Sequence, residues 1–306
     1  MYLPQDPDML FSMINMKLRD QYASLDELCD EEDIDLASLM MKLNEAGYVY
    51  DEKNNCFQYA EVVKKPSVSE MLDEARKASY ALLDISEEKV NEVLLALADA
   101  LEEQQKNIIQ SNKEDLSRMD PADSRYDRLM LNEDRIKGIA NDTRNVAALP
   151  SPLNRVLGET VRPNGMTIRK VSVPFGVIGV IYEARPNVTI DVFSLCFKAG
   201  SAVILKGGKE AADTNACEVS IIHRVLAEAG LPEALCTLLP NEREATAELL
   251  SAVGKVDLVI PRGSRRLIDF VRDNARVPVI ETGAGVVHTY FDEFGDLEKG
   301  RRIINN

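Results

Sequence analysis

Val173-Pro-Phe-Gly-Val-Ile-Gly-Val-Ile-Tyr-Glu-Ala-Arg-Pro-Asn187 decides the fold. Its core, Val177–Tyr182, is a short, unbroken apolar run that reads as a strand buried on both faces. A loop of Glu183-Ala-Arg185-Pro-Asn187 follows, and a helical pattern begins near Val188. The same unit repeats downstream. Strand-like runs at Ala202–Leu205, Leu235–Leu239, Val256–Ile260 and Val277–Ile280 alternate with helical stretches that begin near Ala211, Glu242 and Ser264. Such alternation specifies an α/β fold, a doubly wound, Rossmann-like parallel sheet with helices on both faces.

Open sheets of this kind bind ligands at the carboxyl ends of their strands. Those positions carry Glu183, Arg185 and Asn187, then Lys206-Gly207-Gly208-Lys209-Glu210, then Pro261-Arg262-Gly263-Ser264, and last Glu281-Thr282-Gly283-Ala284-Gly285. Glycines, cations and helix starts on one edge suit a phosphate-bearing ligand. The dinucleotide fingerprint GxGxxG is absent, because Gly176 and Gly179 do not follow the strand. Pattern alone leaves the ligand unnamed.

Upstream, Val161 to Val171 reads as two extended arms around an Asn164-Gly165 turn. From Ser69 to Leu149 the periodicity is helical, with Val90, Val93, Leu94, Leu97 and Leu101 on one stripe and a last helix running from Asn132 to Ala148. The first 60 residues form a different piece. Met9, Leu10, Met13, Ile14 and Leu18 mark one helix, Ser24 and Glu27 a capping box opening a second, and Leu36, Leu39, Met40 and Leu43 a third. Tyr48–Tyr50 and Cys56–Phe57 then flank an Asn54-Asn55 turn. Three helices followed by a hairpin is the order of a winged helix. The expected organisation is therefore a small, winged-helix-like α+β module at 1–60, a linker at 61–69, and the α/β region at 70–306.

Charge follows that division. The chain has 36 basic and 51 acidic residues, a net charge of −15. Residues 1–65 hold 6 of the basic and 14 of the acidic ones. The third helix offers Lys42 alone as a cation and follows the acidic run Asp30-Glu31-Glu32-Asp33, so the module reads as an interaction surface rather than a nucleic-acid binder. No apolar stretch approaches a membrane span and no leader-like start precedes Leu10, which points to a cytoplasmic protein. Five scattered cysteines and two isolated histidines form neither a disulfide framework nor a metal site.

Four motifs, Val173–Asn187, Leu205-Lys-Gly-Gly-Lys-Glu210, Ile260-Pro-Arg-Gly-Ser264 and Ile280-Glu-Thr-Gly-Ala-Gly285, occur in an order that resembles the glutamate-5-semialdehyde dehydrogenases. These are the gamma-glutamyl phosphate reductases of the aldehyde dehydrogenase superfamily, and the resemblance covers about Pro66 to Asn306. It implies NADPH-dependent reduction of L-glutamyl 5-phosphate to the 5-semialdehyde with release of phosphate, a step of proline biosynthesis. Carried over by position, Asn187 would donate to a thioester oxyanion and Glu281 would stand at the general-base position. Lys206, Gly208 and Lys209 would face the adenosine end of the NADPH cofactor, and Gly263 and Ser264 its pyrophosphate. The Asn-Gly hairpin resembles the family's oligomer arm.

The family's nucleophilic cysteine lies a few dozen residues past the glutamate motif, whereas 25 residues follow Glu281. Cys196 sits between apolar neighbours on a helix and reads as a buried, inert thiol. The expectation is a partial enzyme, inactive alone, whose partner is a homo-oligomer or a complementing chain. The alternative is a non-catalytic, nucleotide-binding or regulatory fusion protein.

Overall fold

The computed structural model describes residues 3–4, 6–52, 54–59, 66–123, 125–183, 185–281 and 288–305. It divides into two compact units, Met1–Pro66 and Ser67–Asn306. Most of the expected linker and the Thr282–Gly285 part of the last motif lie outside the described residues.

In the smaller unit, helices α1 (Pro7–Asp20), α2 (Leu25–Glu32) and α3 (Leu36–Glu45) precede a hairpin of β1 (Tyr48–Asp51) and β2 (Cys56–Tyr59). Leu10, Ile14, Leu18, Leu28, Leu39, Leu43 and Phe57 form its core. Asn15 stands in for a neighbouring strand: its Nδ2 donates to the Phe57 carbonyl at 2.7 Å, and its Oδ1 accepts from the Phe57 amide at 2.6 Å. The capping box expected at Ser24 is displaced by one residue. Ser24 Oγ accepts from the Glu27 amide, but the Glu27 carboxylate reaches back to the amide of Ala23.

The larger unit opens with α4 (Val68–Ser79), whose N-terminus carries the reciprocal capping box of Ser67 and Glu70. Then come α5 (Glu87–Glu103), α6 (Gln105–Ser117), the single-turn α7 (Tyr126–Leu129) and α8 (Glu133–Ala148), the last capped by Asn132. The stripe of α5 packs on α8 and is fully buried at Leu94 and Leu97. Strands β3 (Val156–Val161) and β4 (Thr167–Val171) form a separate ribbon exposed along its whole length. Its turn is not the two-residue Asn-Gly type. The Arg162 amide donates to the Met166 carbonyl and the Gly165 amide to that of Arg162, and Gly165 alone takes a positive φ, +81°. Pro163 fixes the first corner of a three-residue loop, and the left-handed glycine closes it.

The parallel sheet is built from β5 (Val177–Tyr182), β6 (Ala202–Lys206), β7 (Cys236–Leu238) and β8 (Leu258–Arg262), in the order β7-β6-β5-β8. Between and after these strands lie the helices α9 (Asn187–Lys198), α10 (Ala212–Glu228), α11 (Arg243–Ser251) and α12 (Arg265–Asn274). A short α13 (Leu297–Ile304) follows. Both central strands are buried throughout, because α4 and α11 cover one face while α9 and α10 cover the other. Alternation places Gly179 against Leu249 of α11 and Val180 toward α9.

Two expectations need correction. The run at Val277–Ile280 is not a fifth strand; it meets β8 in the isolated bridge Val259–Val279. The amides of Arg276 and Val277 turn back to the Leu250 carbonyl at the end of α11, so the pairing with β8 is limited to the bonds of Val259 with Pro278 and Ile280. Strand β8 also begins two residues later than its apolar run, since the Asp257 carboxylate takes the Val177 amide at 2.8 Å where a ladder bond would form.

Candidate functional site

The sheet reverses direction between β5 and β8. The chain winds from β5 to β6 to β7 on one side and then returns to place β8 on the other. A crevice opens at the carboxyl ends of strands flanking such a reversal. Here a cavity of about 390 Å³ is lined by Arg125, Arg128, Glu183, Arg185, Arg262 and Ser264, among others. Four guanidinium groups face one carboxylate. Arg125 is paired with Asp123 and Glu210, whereas Arg128, Arg185 and Arg262 have no ion pair among the described residues. The cavity therefore has an excess of positive charge suited to an anion of more than one charge.

The single carboxylate is already engaged. Glu183 accepts from the Ser264 amide and from Ser264 Oγ, each at 2.8 Å. It thus occupies the N-terminus of α12, where exposed amides and the helix dipole favour negative charge. Gly263 allows this approach, because a Cβ there would lie 2.7 Å from Glu183 Oε2.

Asn187 is the first residue of α9, and its Nδ2 donates to Asp191 Oδ2 at 3.0 Å, one turn on. Burial raises the Asp191 carboxyl above its ordinary range; Asp142 adds to the rise, while Asn187 and Arg262 oppose it. Asp191 and Asp142 line a second cavity, of about 460 Å³, between α8, α9 and the sheet. Val188 and Arg262 line both cavities, so the two are contiguous.

The remaining sequence-marked residues are spread along the edge. Lys206 is buried, with Nζ toward the carbonyls of Gly207 and Asn241 at 3.3 and 3.4 Å, and desolvation lowers its pKa. Gly208 is half-buried and Lys209 is exposed, so the lysine pair does not converge. Glu281 is 3.6 Å from Arg272 of α12 and lines neither cavity. Asn187 and Glu281 are thus not brought together. Arg125 and Arg128 escaped sequence reading, since their segment carries only a scaffold-like pattern and reaches the site through the tertiary fold. Cys196 is buried on α9, and desolvation pushes its thiol up to about 12; Cys236, wholly buried, is raised as well. Among the described residues, no group of three or more His, Cys, Asp or Glu could hold a metal ion, and no helix is long and apolar enough to cross a membrane.

The fold and site define a doubly wound α/β protein with a basic crevice at its reversal, and comparison with known proteins narrows the class. The profile of the aldehyde dehydrogenase family matches residues 51–285, and the chain belongs to that family. Residues 4–57 match a domain of unknown function (DUF4250). Among curated proteins, the chain is similar to the gamma-glutamyl phosphate reductase of Parabacteroides distasonis, 59% identical over 240 residues, covering 78% of this chain and 58% of that protein. The reductase of Bacteroides thetaiotaomicron is 60% identical over 229 residues, covering 75% of this chain and 55% of that protein. The crystal structure of gamma-glutamyl phosphate reductase from Thermotoga maritima superposes with a TM-score of 0.69 at 35% identity, covering 72% of this chain and 54% of that one. The chain spans somewhat more than half the length of these curated relatives.

Proposed function

We propose that the chain supplies the cofactor-binding and substrate-orienting part of a gamma-glutamyl phosphate reductase. The reaction is the NADPH-dependent reduction of L-glutamyl 5-phosphate to L-glutamate 5-semialdehyde with phosphate release, in proline biosynthesis. The observation that carries this reading is the crevice at the β5/β8 reversal, which is lined by three unpaired arginines and by the Gly263-Ser264 start of α12, with Val188, the neighbour of Asn187, on its wall. Its donor set fits a ligand with several phosphate oxygens. In this reading Gly263 and Ser264 hold the pyrophosphate of the cofactor, while Lys206, Gly208 and Lys209 hold its adenosine end. NADPH, once bound, supplies the hydride. Asn187 turns its amide from Asp191 to the oxyanion that forms at the acyl carbon. Glu281, now beside Arg272, stands at the position of the general base.

In this reading the thiolate comes from outside these residues. Within the larger unit Cys196 and Cys217 lie inside α9 and α10, and Cys236 opens β7 at the opposite end from the crevice. Residues 1–60 serve as a separate interaction module, joined by the 61–69 linker, and the protein works in the cytoplasm. The raised thiols also favour a second reading, a regulatory fusion that binds the nucleotide without turnover. Calorimetric titration of the purified chain with NADPH tests both readings: saturable binding is expected, and its absence overturns them. Adding glutamyl phosphate together with the thiolate-bearing region of a family reductase then separates them by NADPH consumption.

A further inference from the structure

We infer that Asp142, Asp191 and Ser194 form the subsite for the α-ammonium group of the amino-acid substrate, with Arg262 beside it for the α-carboxylate. This rests on the glutamyl phosphate reading above and adds to it the orientation of the substrate.

The second cavity is chemically unlike the first. Its walls are largely apolar, through Val180, Val188 and Val192, yet two carboxylates from different helices turn into it. Neither Asp142 nor Asp191 has a cationic partner within ion-pair distance among the described residues. Burial and the neighbouring carboxylate both disfavour the charge on Asp191, so the pair gains from a cation placed between them. Ser194 lines the same cavity. It is wholly buried, and its Oγ has no hydrogen-bond partner among the described residues. A buried hydroxyl without a partner is costly unless something arrives to satisfy it.

Asn187, Asp191 and Ser194 stand at i, i+4 and i+7, one stripe of α9. An ammonium group has three donors, and this cavity has three acceptor groups to meet them. A metal ion is the wrong occupant, because no described group of three metal-ligating side chains exists. Arg262 is close enough to Asp191 to lower its pKa and lines both cavities, so it faces a carboxylate attached to the same carbon as the ammonium. Arg128 and Arg185 at the far end remain for the phosphate. The acyl carbon of the extended substrate then lies between the two ends, next to Asn187.

The test uses the full chain and two stable phosphonates. One is L-2-amino-5-oxo-6-phosphonohexanoate, in which a methylene replaces the bridging oxygen of glutamyl phosphate; the other lacks the 2-amino group. Calorimetry on the unaltered chain is expected to show the amino compound binding about tenfold or more tighter, the usual scale for a charge-assisted contact. Asp142→Asn is expected to abolish most of that preference while leaving the deamino compound within about twofold of its original affinity. Asp191→Asn is expected to act in the same direction. Equal binding of the two compounds to the unaltered chain overturns the subsite and leaves the glutamyl phosphate reading standing. Equal weakening of both compounds by Asp142→Asn assigns a merely structural role and also overturns it. If neither compound binds, the reading and the subsite fall together.

Discussion

Gly263→Ala offers a sharp test of the α12 terminus. The added Cβ would lie 2.7 Å from Glu183 Oε2, 2.8 Å from its Cδ and 3.0 Å from its Cγ, so the carboxylate must leave. Two hydrogen bonds of 2.8 Å, to the amide and hydroxyl of Ser264, leave with it. Bonds to a charged group contribute roughly 1.5–3 kcal/mol each when shielded from water. Glu183 is exposed, and solvent screening brings the pair down to about 1–2 kcal/mol in total. Gly263 is not in the left-handed region, so alanine adds no backbone strain and gains about 0.4–1 kcal/mol through the unfolded chain. The net expectation is a loss of about 1 kcal/mol. In a Glu183→Ala background nothing remains for the Cβ to displace, and the same change is expected to stabilise by about 0.5 kcal/mol. Urea unfolding followed by circular dichroism measures the four proteins of this cycle; tryptophan fluorescence is excluded because the chain has none. Equal costs of Gly263→Ala in both backgrounds would show that Glu183 does not occupy this helix end.

Burial holds the Glu218 carboxyl well above its ordinary range, so the fold keeps its proton to higher pH than the unfolded chain, which ionises above about pH 4.3. The folded state then binds the extra proton, stability falls as pH rises from that point, and Glu218→Gln is expected to remove this slope from urea midpoints measured between pH 5 and 8. Ellman's reagent at pH 8 is expected to label Cys56 and Cys217, both half-buried, well before Cys196 and Cys236; all five thiols should react in urea. Rapid labelling of Cys196 in the folded chain would contradict its raised pKa. Lys209→Ala is expected to weaken NADPH about tenfold in a fluorescence titration and to leave NADH unchanged, the pattern expected for loss of a charged contact to the 2′-phosphate.

Strand β5 was readable to its last residue, because a run buried on both faces needs no tertiary information to announce itself. The starts of α8 and α12 were equally plain, since Asn132 and Ser264 cap them with their own side chains. What escaped depends on partners distant in the chain. Asp257 shortens β8 by taking an amide 80 residues away, and Leu250 takes the first amides of the last run, which limits its pairing to a single bridge. The site divides in the same way. The residues after each strand were legible from topology, yet the pairing of Glu183 with Ser264 spans 81 residues and leaves no local pattern. Arg125 and Arg128 belong to a helical segment that nothing marks until the fold brings them to the edge. Lys206 and Lys209 share a motif, but one is drawn beneath a loop and the other is left in water.

The Glu183 carboxylate on α12 is, in effect, a competitor tethered to its own receptor. An anion from solution must evict it, and a tethered group competes at high local concentration without being diluted away. A simple monovalent ion offers the helix end nothing that Glu183 does not already give. A ligand with several charged oxygens would replace the two Ser264 contacts and also reach the arginines of the crevice. On the proposed function the helix end would then filter by valency, excluding the abundant small anions and yielding to a ligand that can hold the arginines at the same time.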